Sequence, residues 1–332
     1  MVVSGCLTSI ANRPVQTIDT GRGPVLTFSP SGEFVATTGS SLRIWRVRDG
    51  ALAATLDCPA PVADLAFSPD ARWLAGTLDE GRPERRIFIW SLKDRKIDTR
   101  LAFATGRSLT NGPIVFTPEG DLVALVSSTS VRGTTVVHWS KNGAFERPLG
   151  EHPTDEHPKN GRYWDPCIFR GEFSPDGSII AVGREDKDGA LDVFCTSTGD
   201  RVLTLESSAR ASAFAISKDM IAGAIAPNRV RLWSRNDGRA LFDLEGRWDT
   251  DADTLWSLAF SPSGELLAGG GLDGRIHVWS VTDRERLKEI RAHQGVICSI
   301  GFSPKGDLIA SAGWDGNVKF WEVDVDDVGP PR

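Results

Sequence analysis

Histidine, cysteine and tyrosine are scarce in this chain. Its 332 residues include five histidines, five cysteines and one tyrosine. The chain also lacks any run of about 18 consecutive apolar residues, which a membrane-spanning helix requires. This excludes a transmembrane protein, and we expect no membrane partner. The first ten residues lack a basic segment followed by an apolar run, so they do not form a secretory signal.

The chain has no excess of positive charge. It carries 38 Lys and Arg against 44 Asp and Glu, a formal net charge of −6. A general nucleic-acid binder needs a basic face to displace the counterions of the phosphate backbone. We therefore expect no nucleic-acid partner.

The cysteines give no signature of zinc or disulfides. Cys6, Cys58, Cys167, Cys195 and Cys298 are widely spaced and odd in number, with no CxxC pair. This spacing favours free thiols in a reducing compartment, and we expect a cytoplasmic location. One alternative stays open. Residues 3–6 (VSGC) are similar to the end of a bacterial lipoprotein signal, which would place the native start upstream.

One short segment recurs along the chain at intervals of about 46 residues. A degenerate copy that has lost two turn residues begins at Ile216. Apolar runs and turn residues around each copy alternate as in strands, and no window has a helical period. The pattern predicts units of four strands, one unit per copy. The six complete copies read FSPSG, FSPDA, FTPEG, FSPDG, FSPSG and FSPKG and begin at Phe28, Phe67, Phe116, Phe173, Phe260 and Phe302.

A second repeated segment, a strand centred on an aromatic residue, follows each first one. Six of the eleven tryptophans occupy this single place. With both motifs, the sequence resembles the WD-repeat β-propeller family over about residues 13–323. The resemblance implies an all-β fold, a closed ring of seven four-stranded antiparallel blades around a central channel. The central aromatic residues are Trp45, Trp90, Trp139, Phe194, Trp233, Trp279 and Trp321.

The ends of the chain predict how the ring closes. The last copy lacks its fourth strand, and residues 14–18 provide a spare one before the first copy. Pairing these segments would remove an exposed sheet edge. We therefore divide the chain into an N-terminal tail (1–12), a single propeller (13–323) and an acidic, proline-containing C-terminal tail (324–332).

The family resemblance also implies a buried hydrogen-bonded tetrad. The roles fall on His293, Ser311, Asp315 and Trp321, the one complete set in the sequence. The sixth copy keeps Asp273 and Trp279 but has no histidine at the family's position. His, Ser and Asp also compose hydrolytic triads, but no GxSxG motif presents Ser311 as a nucleophile. We therefore favour a structural role for the tetrad.

Three further features have structural interpretations. His138 and His277 lie in third strands, where we expect them to pack or to face solvent. Trp73 occupies a core position. Residues 269–274 match GxGxxG, but a strand follows them instead of the helix that a dinucleotide site needs. We therefore predict a hairpin there and no cofactor.

The length variation between copies falls in two kinds of connection. The link between the third and fourth copies has about 12 extra residues, and the hairpins between second and third strands also vary. Both kinds emerge on one face of a propeller. Exposed aromatic and arginine residues dominate interface energetics, and these loops supply Arg85, Arg86, Arg162, Tyr163, Trp164, Trp248, Trp256 and Trp314. Trp256 is the one closest to a core position.

The sequence favours a non-enzymatic scaffold that binds a protein or peptide partner through this loop-rich face. One alternative is a propeller hydrolase or lyase, assisted by a metal bound in the 151–167 loop through His152, Asp155 and His157. These residues lie in a proline-containing loop instead of on a helix, so no ligand geometry is enforced. Another alternative is a regulatory propeller separated from a larger signalling protein.

Overall fold

The computed structural model describes residues 7–21, 25–39, 41–59, 61–78, 86–102, 107–108, 113–128, 133–140, 143–148, 171–183, 190–207, 211–225, 229–246 and 255–325. All regular elements in these ranges are strands. From the N-terminus they are β1 (Leu7–Ile10), β2 (Gln16–Asp19), β3 (Leu26–Phe28), β4 (Phe34–Thr37), β5 (Leu42–Arg46), β6 (Leu52–Leu56), β7 (Val62–Phe67), β8 (Trp73–Leu78), β9 (Arg86–Ser91) and β10 (Lys96–Ala102). The middle of the chain forms β11 (Arg107–Ser108), β12 (Ile114–Phe116), β13 (Leu122–Ser128), β14 (Gly133–Ser140), β15 (Gly143–Pro148), β16 (Gly171–Phe173), β17 (Ile179–Gly183), β18 (Leu191–Cys195), β19 (Arg201–Leu205) and β20 (Ala211–Ile216). The last third forms β21 (Met220–Ile225), β22 (Arg229–Ser234), β23 (Ala240–Glu245), β24 (Leu255–Phe260), β25 (Leu266–Gly271), β26 (Arg275–Ser280), β27 (Glu285–Arg291), β28 (Ile297–Phe302), β29 (Leu308–Gly313) and β30 (Asn317–Val325).

The strands form seven antiparallel sheets, the blades of a propeller. Blades 1 to 6 are β3–β6, β7–β10, β11–β15, β16–β19, β20–β23 and β24–β27. Blade 7 consists of β28, β29 and β30, with β1 and β2 both paired to β30. Contacts between first strands run from blade 4 through blades 5, 6, 7, 1 and 2 to blade 3, including β28 of blade 7 with β3 of blade 1. A buried apolar cluster joins blade 3 to blade 4. The seven blades therefore form a closed ring, as the repeat count predicts.

The apolar core of the described residues is divided among the contacts between blades. Each of seven buried clusters joins residues of two neighbouring blades. The cluster between blades 7 and 1, for example, combines Phe320 and Val318 with Leu26 and Val35. Trp73 is half-buried against the cluster between blades 2 and 3. Because each blade packs on two others, stability comes from contacts between neighbours around the ring.

The recurrent Ser-Pro-x-Gly segment is the turn between first and second strands. In blade 1 the hydroxyl of Ser29 accepts a hydrogen bond from the Phe34 amide at 3.1 Å, while Gly32 has φ +74°. Glycine adopts this left-handed conformation without a steric cost. The same serine bond recurs in blades 2, 4, 6 and 7 through Ser68, Ser174, Ser261 and Ser303.

A hydroxyl in the second strand accepts the indole N–H in two blades. In blade 1, Nε1 of Trp45 donates to Oγ1 of Thr37 at 2.8 Å. In blade 7, Nε1 of Trp321 donates to Oγ of Ser311 at 3.2 Å. Each hydroxyl lies two residues beyond the second-strand partner of the tryptophan. The hydrogen bond satisfies a buried donor.

A glycine at the same second-strand position changes the acceptor. A Cβ built on Gly76 or Gly223 would lie 3.1 or 3.0 Å from Cζ3 of the tryptophan, so the ring occupies the space of the missing side chain. The N–H then donates to a backbone carbonyl at the end of the fourth strand of the preceding blade or directly after it. In blades 2, 5 and 6, these bonds join Trp90 to Asp57, Trp233 to Glu206 and Trp279 to Glu245, at 2.7, 3.3 and 3.1 Å.

The N-terminal segment supplies the fourth strand of blade 7. Gln16–Asp19 pairs with Phe320–Asn317, and the Val15 amide donates to the Phe320 carbonyl at 2.8 Å. This is the spare strand that the sequence indicates, shifted by about two residues.

Paired strands extend into both of the predicted tails. β1 pairs with the end of β30, where Leu7 faces Val325 and Ile10 faces Val323. Ile10 packs into the cluster between blades 6 and 7. The paired strands therefore extend past the predicted boundaries at 12/13 and 323/324, because each short segment provides the other with backbone partners.

Candidate functional site

One end of the ring carries the connections between blades and the hairpins between second and third strands. We call this end the top face and the opposite end the bottom face. Of the top face, the structure describes blades 6 and 7 most fully, with the hairpins 272–274 and 314–316 and the connection 292–296.

The top of blade 7 is fixed by a chain of four side chains. Nδ1 of His293 lies 2.9 Å from Oδ1 of Asp315, and its Nε2 lies 2.8 Å from Oγ of Ser311. Ser311 is also the acceptor for Trp321, as described above. The structure thus brings together the four residues that the family resemblance names.

The protonation state of the tetrad follows from its surroundings. Burial lowers the pKa of His293 below its usual value and outweighs the opposite effect of the Asp315 carboxylate. Burial alone would raise the pKa of Asp315, but hydrogen bonds from His293 and from the amides of Gln294 and Asn317 hold it below its usual value. A neutral imidazole results. Its Nδ1–H donates to Asp315, and its Nε2 accepts the hydroxyl proton of Ser311.

Ser311 has no access to a substrate. Its side chain is completely buried, and its oxygen accepts the indole N–H of Trp321. A nucleophilic serine must lie within reach of the atom that it attacks. The geometry therefore supports a structural role for His293, Ser311 and Asp315.

The tetrad determines which side chain of the hairpin faces solvent. A Cβ on Gly313 would overlap Nδ1 of His293, so the strand can end here only with glycine. Asp315 then turns inward to His293, and Gly316 closes the hairpin at φ +84°. Trp314, directly before the aspartate, is left 51% exposed.

Trp314 is half of an aromatic pair on the top face. Its ring centroid lies 5.4 Å from that of Trp256, with the planes at 88°. An edge-to-face pair of this kind contributes about 0.5–1.5 kcal/mol beyond the area it buries. Trp256 is half-buried in β24, an innermost strand, so the pair lies between the hairpin of blade 7 and the channel side of blade 6. We call Trp256 and Trp314 the tryptophan pair.

Blade 6 builds its hairpin in a similar way with a different histidine. Nε2 of His277 lies 2.9 Å from Oδ2 of Asp273, and the His277 ring stacks on Trp279 with centroids 5.9 Å apart. Leu272, before this aspartate, is exposed as Trp314 is. Here the imidazole comes from the third strand. The family's histidine position precedes the first strand, so the family pattern does not identify His277.

A repeat family matches the same two blades. The WD domain, G-beta repeat, matches residues 241–280 and 284–322. Together with the seven blades, this match decides what can be assigned. The chain is a seven-bladed β-propeller with WD repeats.

Solved structures of other proteins share the architecture. A chain in the crystal structure of the mitotic checkpoint complex is 18% identical, with a TM-score of 0.71, covering 95% of this chain and 93% of that one. The β-propeller domain of Cps50 (Swd1) from Myceliophteria thermophila is 15% identical, with a TM-score of 0.73, covering 94% and 99%. No curated protein sequence matches this chain. At 18% and 15% identity, the similarity to these two structures establishes the fold alone.

The remaining site predictions fall mostly outside the described residues. Arg86 is the first residue of β9 in blade 2, whereas the tryptophan pair lies on blades 6 and 7. His138 and His277 are both buried, and Nε2 of His138 lies 2.7 Å from the Thr196 carbonyl of blade 4. Outside the described ranges lie the predicted partner residues Arg85, Arg162, Tyr163, Trp164 and Trp248 and the predicted metal ligands His152, Asp155 and His157.

The described residues contain neither a metal-binding cluster nor a membrane-spanning helix. No three side chains among His, Cys, Asp and Glu are grouped so as to hold a metal ion within these ranges. Nor does any helix there have the length and apolar character to cross a membrane.

The sequence interpretation missed a pair of carboxyls at the central channel. Glu172 lies on the innermost strand of blade 4 and is exposed, while its neighbour Phe173 is buried, so its side chain points into the channel. Asp64, on the innermost strand of blade 2, accepts a hydrogen bond from the Ile114 amide of blade 3 at 2.9 Å. The sequence signal for such a position is a charged residue next to an apolar one on an innermost strand, because successive side chains of a strand point to opposite sides.

The ring places both carboxyls in an unfavourable environment for charge. Desolvation raises the pKa of Glu172 to about 8, and the charge of Asp64 adds to this effect. Desolvation also raises the pKa of Asp64, to about 6, against the opposing hydrogen bonds of the Ile114 and Leu65 amides. Although the Glu172 side chain is open to the channel, the surrounding protein removes enough water to disfavour its charged form.

Proposed function

We propose that this WD-repeat propeller is a non-enzymatic, cytoplasmic scaffold that binds a protein or peptide partner through its top face. The observation that carries the proposal is the tryptophan pair, an exposed aromatic side chain held in a fixed position. Solved relatives support protein partners in general, since one of them is a chain of a multiprotein complex.

The pair is preorganised for binding. The Trp314 backbone is held by the tetrad below it, and its amide donates to the Val296 carbonyl at 2.9 Å. Trp256 fixes one edge of the Trp314 ring. A rigid aromatic side chain loses little conformational entropy on binding, so more of its contact energy is available for affinity. Tryptophan is also among the residues most enriched in binding hot spots.

The exposed face predicts that Trp314→Ala weakens partner binding without loss of the fold. Affinity purification with mass spectrometry identifies the partner, and calorimetry with the purified partner then measures Kd. We expect Kd to rise by a factor of about 30, equivalent to about 2 kcal/mol, because the substitution removes a central anchor.

Leu52→Ala is the matched control. Leu52 is equally exposed, at 51%, but lies on β6, the outermost strand of blade 1. We expect it to change Kd by less than about twofold. Unchanged affinity in both Trp314→Ala and Trp256→Ala would remove the tryptophan pair from the interface.

A Tyr163→Ala/Trp164→Ala variant tests the other predicted part of the top face in the same assay.

A further inference from the structure

The turn of blade 5 differs from that of blade 7 by two missing residues. Blade 7 reads Ser303-Pro304-Lys305-Gly306-Asp307, whereas blade 5 reads Ser217-Lys218-Asp219. Blade 5 therefore lacks the proline and the glycine while it keeps the serine, lysine and aspartate. The Ser217 hydroxyl still accepts an amide hydrogen bond, now from Met220 at 3.0 Å. The shortened turn is thus an ordered one.

The missing proline has a clear structural role at other contacts between blades. On the bottom face, a Cβ built on Gly32 of blade 1 would lie 3.4 Å from Cδ of Pro304 in blade 7. A Cβ on Gly306 of blade 7 would lie 3.6 Å from Cδ of Pro262 in blade 6. The proline of one turn thus packs against the glycine of the next.

This packing is absent where blade 5 meets blade 6. The nearest atom to a Cβ on Gly264 is Cβ of Ser217, at 4.0 Å. A groove of about 330 Å³ opens on the bottom face between the two turns. We call it the blade 5/6 groove.

The blade 5/6 groove has an apolar floor. Met220, Phe242 and Val281 line it, and all three belong to or pack against the buried cluster between blades 5 and 6. Arg284 at its side holds Cζ 4.5 Å from the Phe242 ring centroid, which covers part of that ring with a guanidinium. The uncovered part of the Phe242 ring and the side chain of Met220 are left next to an open slot.

The rim carries charges of both signs. Lys218 and Arg284 line the groove together with Asp219 and Glu265, and all four are exposed. The rim therefore selects neither a strongly acidic nor a strongly basic occupant. Selectivity must come from the apolar floor and from the shape of the slot.

We propose that the blade 5/6 groove binds a proline-containing segment of a protein partner. A proline ring from the partner takes the place that Pro262 and Pro304 fill at the next two contacts of the ring. Proline suits an aromatic-lined groove because its ring is apolar and its backbone is already restricted before binding. This site is on the face opposite the tryptophan pair and does not depend on the function proposed for that pair.

Methionine gives a direct measurement of occupancy. The chain has two methionines, Met1 and Met220, and the second lines the groove. Labelling the methionine methyl groups with ¹³C therefore provides an NMR signal specific to this site. The probe is an acetylated, amidated peptide of residues 301–307 (GFSPKGD), compared with the same peptide carrying Pro304→Ala.

We expect the peptide to shift the Met220 methyl signal with saturation, and the alanine peptide to bind at least about fivefold more weakly. A Met220 signal that does not move up to the solubility limit of the peptide would overturn the proposal. Equal binding of the two peptides would also overturn it, because the groove would then accept an extended backbone of any sequence.

A filled groove provides the second test. Inserting Pro between Ser217 and Lys218, and Gly between Lys218 and Asp219, reproduces the blade 7 turn in blade 5. The variant should keep the near-UV circular dichroism of the wild type and lose saturable binding of the proline peptide. Wild-type binding by a folded variant would contradict the proposal. The comparison of two peptides on the wild-type protein decides the matter if the insertion prevents folding.

Discussion

The side chain of Ser311 connects two buried groups that need partners. Its hydroxyl donates a hydrogen bond to Nε2 of His293 and accepts one from the indole N–H of Trp321. In blades 2, 5 and 6 the second strand has glycine at the position of Ser311. The indole N–H of the corresponding tryptophan there donates to a backbone carbonyl instead of a hydroxyl.

We expect Ser311→Ala to lower the free energy of unfolding by about 1–3 kcal/mol, because it leaves a buried N–H and a buried imidazole nitrogen unsatisfied. Denaturant titration followed by tryptophan fluorescence measures the change. Ser197→Ala, an exposed hydroxyl in a turn of blade 4, should change stability by less than about 0.5 kcal/mol. Equal effects of the two substitutions would mean that the tetrad adds no stability of its own.

Single residues differ in how well the sequence predicts them. The tetrad of blade 7 is identified in advance because its spacing matches a known family pattern. His277 is not, because its bond to Asp273 depends on two residues four apart meeting across a hairpin instead of on that pattern. The exposure of Trp314 was predicted from its loop. Its contact with Trp256 requires knowing how blades 6 and 7 sit side by side.

Among the elements, the first-to-second turns are the most predictable. Serine, proline and glycine each meet a local requirement there: a hydroxyl acceptor, a fixed φ and a left-handed conformation. β1 is the least predictable. Leu7–Ile10 and the end of β30 form strands because they meet each other, and sequence periodicity does not record a pairing between distant segments.

Deleting residues 1–20 should strongly destabilise the protein. The deletion removes β1 and β2, exposes the length of β30 as an unpaired edge and takes Ile18 from the cluster between blades 7 and 1. Differential scanning calorimetry should show a lower Tm, and size-exclusion chromatography should show aggregation.

Deleting only residues 1–6, which precede β1, is the control and should leave Tm within about 2 °C. An unchanged Tm after the longer deletion would show that the pairing with β30 is dispensable.

For the whole ring, the sequence predicts the number of blades and the manner of closure, because both follow from counting repeats. It does not predict the electrostatics of the channel. Glu172 and Asp64 lie more than a hundred residues apart in sequence, and only closure of the ring makes the charge of one affect the other.

The channel predicts a pH dependence of stability. The pKa of Glu172 is raised to about 8 in the folded protein, against about 4.3 in an unfolded chain. Between these values the folded state holds a proton that the unfolded state has lost, so this group stabilises the fold at low pH and less as pH rises. We expect Glu172→Gln to raise Tm relative to the wild type at pH 9 and to have little effect at pH 5.

Thermal unfolding from pH 5 to pH 9 measures this difference. Glu322→Gln removes an exposed carboxyl on β30, on the outer part of blade 7, and its difference from the wild type should stay nearly constant with pH. A Glu172→Gln curve parallel to that of the wild type would show that the channel does not disfavour the charged carboxylate.

Closure by β1, β2 and β30 also has a consequence for biosynthesis. The hydroxyl of Ser9 lies 2.6 Å from the carboxylate of Asp324, so the N-terminal strand of the propeller meets its C-terminal strand. Domains begin to fold while the ribosome is still adding residues. Blades 1 to 6 can form in that order during translation, but β2 has no partner until β30 has left the exit tunnel. A ribosome stalled before Asn317 therefore presents two unpaired strand edges, one at β2 and one at β29. We therefore expect the nascent propeller to be most prone to aggregate just before β30 is made.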